Sequence, residues 1–203
     1  MQRALITSLF AASLSVATLA PSDASATMIE AGDIEQLAEQ ADDVVVGEVI
    51  ELTPFIDQGH VYTRVTVATD DATVEIVAYG GRTEGLATRV AGAEGYALGE
   101  QVLVLVERLP SGNLVSYGMS FTKFELVDRS GVIWAVRDFD AAELVEFDPE
   151  SQQMLTPTAD FPREIRLDEL ASRLEAVRGP LPQLAPLLPT TVEPIDPGTP
   201  VGP

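Results

Sequence analysis

The chain of 203 residues contains one histidine, His60, three positions after Asp57. A Ser-His-Asp site would have to use it, but no G-x-S-x-G turn accompanies it. It opens a polar-alternating stretch, where a solitary surface histidine is commonplace, so catalysis by His60 is not expected. No cysteine is present. That removes thiolate nucleophiles and disulfides together, as well as the clustered Cys/His ligands of transition metals. Asp138-Phe139-Asp140 with Glu143 starts like a calcium loop but lacks the loop glycine and the closing glutamate of an EF-hand. A solvated acidic loop is expected there, with no metal and no cofactor. Two carboxylates suffice for glycoside hydrolysis, but 32 acidic residues leave no pair singled out.

The remaining site candidates lie on Gly80 to Glu100, a segment with six glycines. It carries neither G-x-x-x-x-G-K-[ST] nor G-x-G-x-x-G, so it is not a phosphate cradle. Its glycines read as permits for tight turns. Connections of this length in a compact domain are functional or hold small elements of their own. Arg82 and Arg89 place two cations on one loop of an acidic protein, with Tyr96 as an aromatic contact. If the loop binds an anionic partner, these three residues make the contact.

The elements that must position these residues follow from periodicity. Thr27 to Asp42 reads as a short helix with Asp33 as its cap and Ile34, Leu37, Ala38 and Ala41 on one face. Asp43 to Pro54 is a β-branched strand, with Gly47 marking a bulge or bend. His60 to Thr69 alternates Val61, Thr63, Val65 and Val67 against Tyr62, Arg64 and Thr66. It should form a hairpin with Ala72 to Tyr79 through Asp70-Asp71. Gln101 to Leu109 is apolar on both faces and should be central and covered on both sides. Leu114 to Tyr117, Thr122 to Asp128 and Gly131 to Arg137 complete a meander, with one further short strand around Leu144, Val145 and Phe147. Leu167 to Arg178 is a helix ended by Gly179-Pro180.

The fold class expected is mainly β: a small OB-like barrel or sandwich of six or seven antiparallel strands, flanked by a helix at each end. The segments are a signal peptide (1–26), a β-barrel domain with its N-terminal helix (27–147), an acidic connector with the C-terminal helix (148–178) and a proline-rich tail (179–203). Met1-Gln2-Arg3, the apolar run Ala4 to Ala20 and Ala24-Ser25-Ala26 have the form of a cleaved secretory leader. Export to the periplasm or beyond is expected, with no membrane span afterwards. The tail holds eight prolines in 25 residues, which suits an extended polyproline segment unable to build a core. The net charge of −20 argues against nucleic-acid partners, which require a basic stripe.

Several motifs resemble, in their order, a family of uncharacterised exported bacterial β-barrel proteins. They are Ala41-Asp42-Asp43-Val44-Val45-Val46-Gly47-Glu48-Val49, Val61-Tyr62-Thr63, Gly80-Gly81, Val90-Ala91-Gly92, Tyr96 through Leu103 and Gly118 to Phe124. The likeness covers Ile34 to Arg137. It departs where the family has a Lys-Gly step and this chain has Asp70-Asp71, which implies a tighter hairpin. The strand order is also similar to that of netrin-like, tissue-inhibitor OB barrels, although those carry disulfides. The function expected is a non-enzymatic binding module for an unknown protein or surface polymer. A carboxylate-dependent hydrolase is the rival, and the tissue-inhibitor likeness implies an inhibitor or accessory of a co-exported protease.

Overall fold

A computed structural model describes residues 27–148, 150–181, 184 and 187. The expected leader and most of the proline-rich tail lie outside the described residues. Strand β1 (Thr27–Glu30) precedes helix α1 (Ile34–Gln40). Strands β2 (Asp43–Asp57), β3 (His60–Ala68) and β4 (Thr73–Tyr79) follow, then a small hairpin of β5 (Gly81–Thr83) and β6 (Leu86–Thr88). Next come β7 (Gln101–Arg108), β8 (Leu114–Ser116), a 3-10 turn (Met119–Phe121), β9 (Lys123–Arg129) and β10 (Val132–Val136). The chain continues through β11 (Ala142–Asp148), β12 (Gln153–Leu155) and β13 (Glu164–Arg166) to α2 (Leu167–Arg178).

Five of these strands form a ring. β7 pairs with β2, β2 with β3, β3 with β4, β4 with β8, and β8 returns to β7. The β4–β8 seam is parallel and rests on one pair, Ile76 opposite Leu114, so the ring is partly closed, as in an OB-like barrel. Gln58 and Gly59 both have positive φ, the signature of a two-residue hairpin turn whose twist matches the strands it joins. The Asp70-Asp71 hairpin is tight, with the Thr69 N–H donating to the Ala72 carbonyl at 2.9 Å.

Alternation along β2 and β7 explains why this sheet carries two cores. Val45, Val49, Val102, Val104 and Val106 point into the ring with Val65, Val67, Ile76 and Ala78. Val44, Val46, Leu103 and Leu105 point the other way, against Leu37 and Ala38 of α1 and Leu170 and Leu174 of α2. Residues 102–106 are 0% exposed, so β7 is covered on both faces as its composition requires. Beyond β7 the sheet extends through β9, β10 and β13, and Phe124, Leu126 and Ala135 join the helix-side core.

Several expectations need correction. Gly47 stays in register opposite Val102, and the register shift falls between Val49 and Glu51. Gly47 is required instead by close approach, since a β-carbon there would lie 2.0 Å from the Ala68 carbonyl oxygen. Thr27–Glu30 is a strand rather than helix, pairing in parallel with β11 from Thr27/Ala142 to Glu30/Val145. That partner is far along the chain, so no local pattern announces it. Asp33 stands at the N-cap of α1, but its side chain makes no capping bond. The stretch expected as an acidic connector contributes β13, which extends the main sheet. At the start of the tail, Leu181 and Leu184 are buried in the helix-side core, with Leu187 packed against it; this part of the tail builds core after all.

Among the described residues, no helix is long and apolar enough to cross a membrane.

Candidate functional site

The Gly80–Glu100 connection does hold an element of its own, the β5–β6 hairpin, which lies across one end of the ring. Val61 N–H donates to Thr88 Oγ1 at 2.8 Å, and Thr63 Oγ1 donates to the Gly80 carbonyl at 2.9 Å. The following segment, Ala93 to Glu100, forms a wall fastened to β2 at its register shift. Gly99 N–H donates to the Val49 carbonyl (2.8 Å), and Val49 N–H to the Glu100 carbonyl (2.9 Å). Glu94, Gly95 and Tyr96 line cavities on both sides of this wall. Toward the ring is a mouth of about 330 Å³, also lined by Thr63, Ala78 and Arg82. On the outer side is a cleft of about 690 Å³ against β9 and β10, reached by Ser120, Lys123, Glu125, Asp138 and Asp140.

The wall concentrates polar groups in an unusual state. Glu94 is 5% exposed, and neither of its carboxylate oxygens has a hydrogen-bond partner in another described residue. Burial pushes its carboxyl up to about 7, opposed by its own main-chain amide and by Lys123. The Tyr96 ring is half-buried against the ring core, whereas its hydroxyl is sealed and unpartnered. Burial first, then Glu94 and Glu100, raise that hydroxyl well above the usual tyrosine range. Ser120 Oγ is likewise buried without a partner. Lys123, the only lysine in the chain, is already committed. Its ammonium pairs with Glu100 Oε1 and sits 5.3 Å from the Tyr96 ring centroid. Glu100 Oε2 accepts the Ala97 N–H at 2.8 Å. A buried polar group without a partner costs about 1–3 kcal/mol, so three in one place mark a spot where bound water or a ligand belongs.

A second feature lies on the outer face of β3 and β4 and of the part of β2 beyond its register shift. Phe55, Tyr62 and Tyr79 stand directly opposite one another in the register. The Phe55 and Tyr62 rings stack with centroids 5.7 Å apart, and Tyr62 and Tyr79 follow at 6.1 Å. All three are half-buried. Arg64, in the next row, lies 5.3 Å over Phe55 and 3.5 Å from Glu75. Since strands are about 4.8 Å apart, the row is about 10 Å long.

The structure brings Arg82 and Tyr96 to the same mouth, but Arg89 lines neither cavity. His60 is exposed at a hairpin tip, opposite Asp57. Asp138 and Asp140 reach toward Arg163 at 3.7 and 2.5 Å. Among the described residues, no three metal-ligating side chains converge. Sequence reasoning missed Glu94, Ser120 and Lys123 as a group. The lone lysine was the available signal, whereas Glu94 is one acid among 32. The aromatic row was visible only as two tyrosines and a phenylalanine on separate strands. The chain matches no family model, no curated protein and no solved structure, so the reading of these features rests on their own geometry.

Proposed function

We propose that the protein is an exported, non-enzymatic binding module that lays a neutral saccharide polymer across Phe55, Tyr62 and Tyr79. The observation that carries this reading is the cross-strand aromatic row itself, with its three rings half-buried on the sheet surface. Because the rings pack on one another and Arg64 lies over Phe55, the row offers an apolar ridge of ring edges to a sugar ring, and the Tyr hydroxyls add hydrogen-bonding tips. Arg64, Glu75, Thr53 and Thr66 occupy the adjacent rows and supply donors and acceptors for sugar hydroxyls. OB-type barrels use a comparable sheet face for oligonucleotides and oligosaccharides. A net charge of −20 disfavours the first of these, because polyanions need a basic counterpart. Fold alone does not give function.

The test is retention of the purified protein on insoluble cellulose, chitin and β-1,3-glucan. At least one should retain it, and the double change Phe55→Ala/Tyr62→Ala should weaken retention at least tenfold without altering the far-ultraviolet circular dichroism spectrum. Equal retention of that variant, or no retention on any of the three, would refute the reading. Release of reducing ends during incubation would favour the hydrolase.

A further inference from the structure

We propose that the cleft between the Ala93–Glu100 wall and β9–β10 is a separate binding site for one basic group, a guanidinium or primary ammonium, with Glu94 as its counter-ion. The proposal stands whether or not a polymer binds the aromatic row. Glu94 is 5% exposed and lines the cleft, and both its oxygens lack partners among the described residues. A desolvated carboxylate in that state accepts hydrogen bonds and donates none once ionised. The nearby cation cannot serve it, because Lys123 is held by Glu100. The sealed Tyr96 hydroxyl and Ser120 Oγ, without partners among the described residues, add lone pairs beside it, so a group that displaces the covering atoms gains most if it brings several N–H donors. A guanidinium, with five donors in a planar fork, fits that demand.

The surrounding charge agrees. Glu100, Glu125, Asp138 and Asp140 line the same cleft with Lys123 as its one base, and Arg163 reaches the two aspartates from beside it. An anion is repelled from such a cleft and a cation is drawn into it. A calcium ion would need six or more oxygens, and no three metal-ligating side chains converge among the described residues.

Occupancy is tied to proton loss. Burial raises the Glu94 carboxyl to about 7, and the groups around it are Tyr96 and Glu100 on the wall, Lys123 and Glu125 on β9, Asp138 and Asp140 after β10, and Tyr79 and Arg82 across the mouth. Its own main-chain amide and then Lys123 lower it. The cation binds the ionised form, so affinity levels off about one unit above pH 7, is half its maximum near pH 7 and falls about tenfold per unit below it.

Calorimetric titration would use agmatine, a blocked Gly-Arg-Gly peptide and the same peptide with citrulline, which keeps the shape and removes the charge. At pH 8 a guanidinium ligand should bind and the citrulline peptide should not. At pH 6 the affinity should be about tenfold lower, with protons released on binding. Glu94→Gln should abolish binding at pH 8. Tighter binding of agmatine assigns a free small base as the natural ligand; tighter binding of the arginine peptide assigns a partner's side chain. Equal binding of arginine and citrulline peptides, binding unaffected by Glu94→Gln, or no binding of either guanidine at pH 8 overturns the proposal. The wild-type chain supplies a check that needs no variant, because the Glu94 side-chain carbon resonance should titrate near 7 when free and well below when saturated with agmatine.

Discussion

Glu94 shows how one residue can be poorly placed for stability and well placed for binding. Its carboxyl is held near 7 against an ordinary 4.5, so the folded chain binds that proton more tightly than the unfolded chain does. Stability from this group is therefore highest at low pH. It falls as pH rises from about 4.5 to 7, and the whole penalty is present above 7. At about 1.4 kcal/mol per unit the gap amounts to about 3 kcal/mol. Glu94→Gln keeps the shape and removes the charge. Urea denaturation should find the variant more stable than wild type by about 2–3 kcal/mol at pH 8, with the difference nearly gone at pH 4. A variant less stable at pH 8 would mean that Glu94 makes a stabilising bond in solution. The neighbouring Lys123–Glu100 pair is the opposite case, with the charges satisfied by each other and the geometry fixed by the wall.

At the scale of elements, the helices act as a lid on one face of the sheet, and side chains fasten them to each other. Arg173 of α2 makes a two-bond contact with Glu35 of α1 at 2.6 and 2.7 Å, which holds the Glu35 carboxyl below its usual range. Arg178 donates to the carbonyls of Ala38, Ala41 and Asp42, satisfying acceptors that the end of α1 leaves open. Leu184 completes this layer at 0% exposure, beyond the glycine that ends α2. Leu184→Ala should therefore lower stability by about 2–5 kcal/mol, read as a shift in the urea midpoint. A change within a few tenths would mean that the segment does not dock in solution.

For the molecule as a whole, β2 and β7 matter most because they belong to both cores at once. Losing the helix layer exposes Val44, Val46, Leu103 and Leu105, while losing the ring exposes their neighbours on the same strands. Neither half keeps a covered sheet without the other, so the two should unfold together. Trp134 on β10 reports the outer sheet, and the tyrosines of the aromatic row report the ring. Their denaturation curves, by tryptophan fluorescence and tyrosine near-ultraviolet circular dichroism, should coincide. Separate midpoints would show that the ring and the outer sheet are independent units.

Much of this was legible from residue order. The alternation of His60 to Thr69, the double-faced QVLVLV run, the tight turns and the helix at Leu167 to Arg178 are local patterns, and local periodicity decides which faces of a strand or helix become buried. The acidic balance is a sum over the chain and needs no structure. Other features depend on which strand lies beside which. The β1–β11 pairing, the partial closure through Ile76 and Leu114, and the alignment of Phe55, Tyr62 and Tyr79 arise from register between distant segments, which no window of sequence contains. The state of Glu94 belongs to the same class. Its neighbours in sequence are alanine and glycine, and only the fold of the wall onto the barrel and β9 removes it from water and leaves its oxygens without partners.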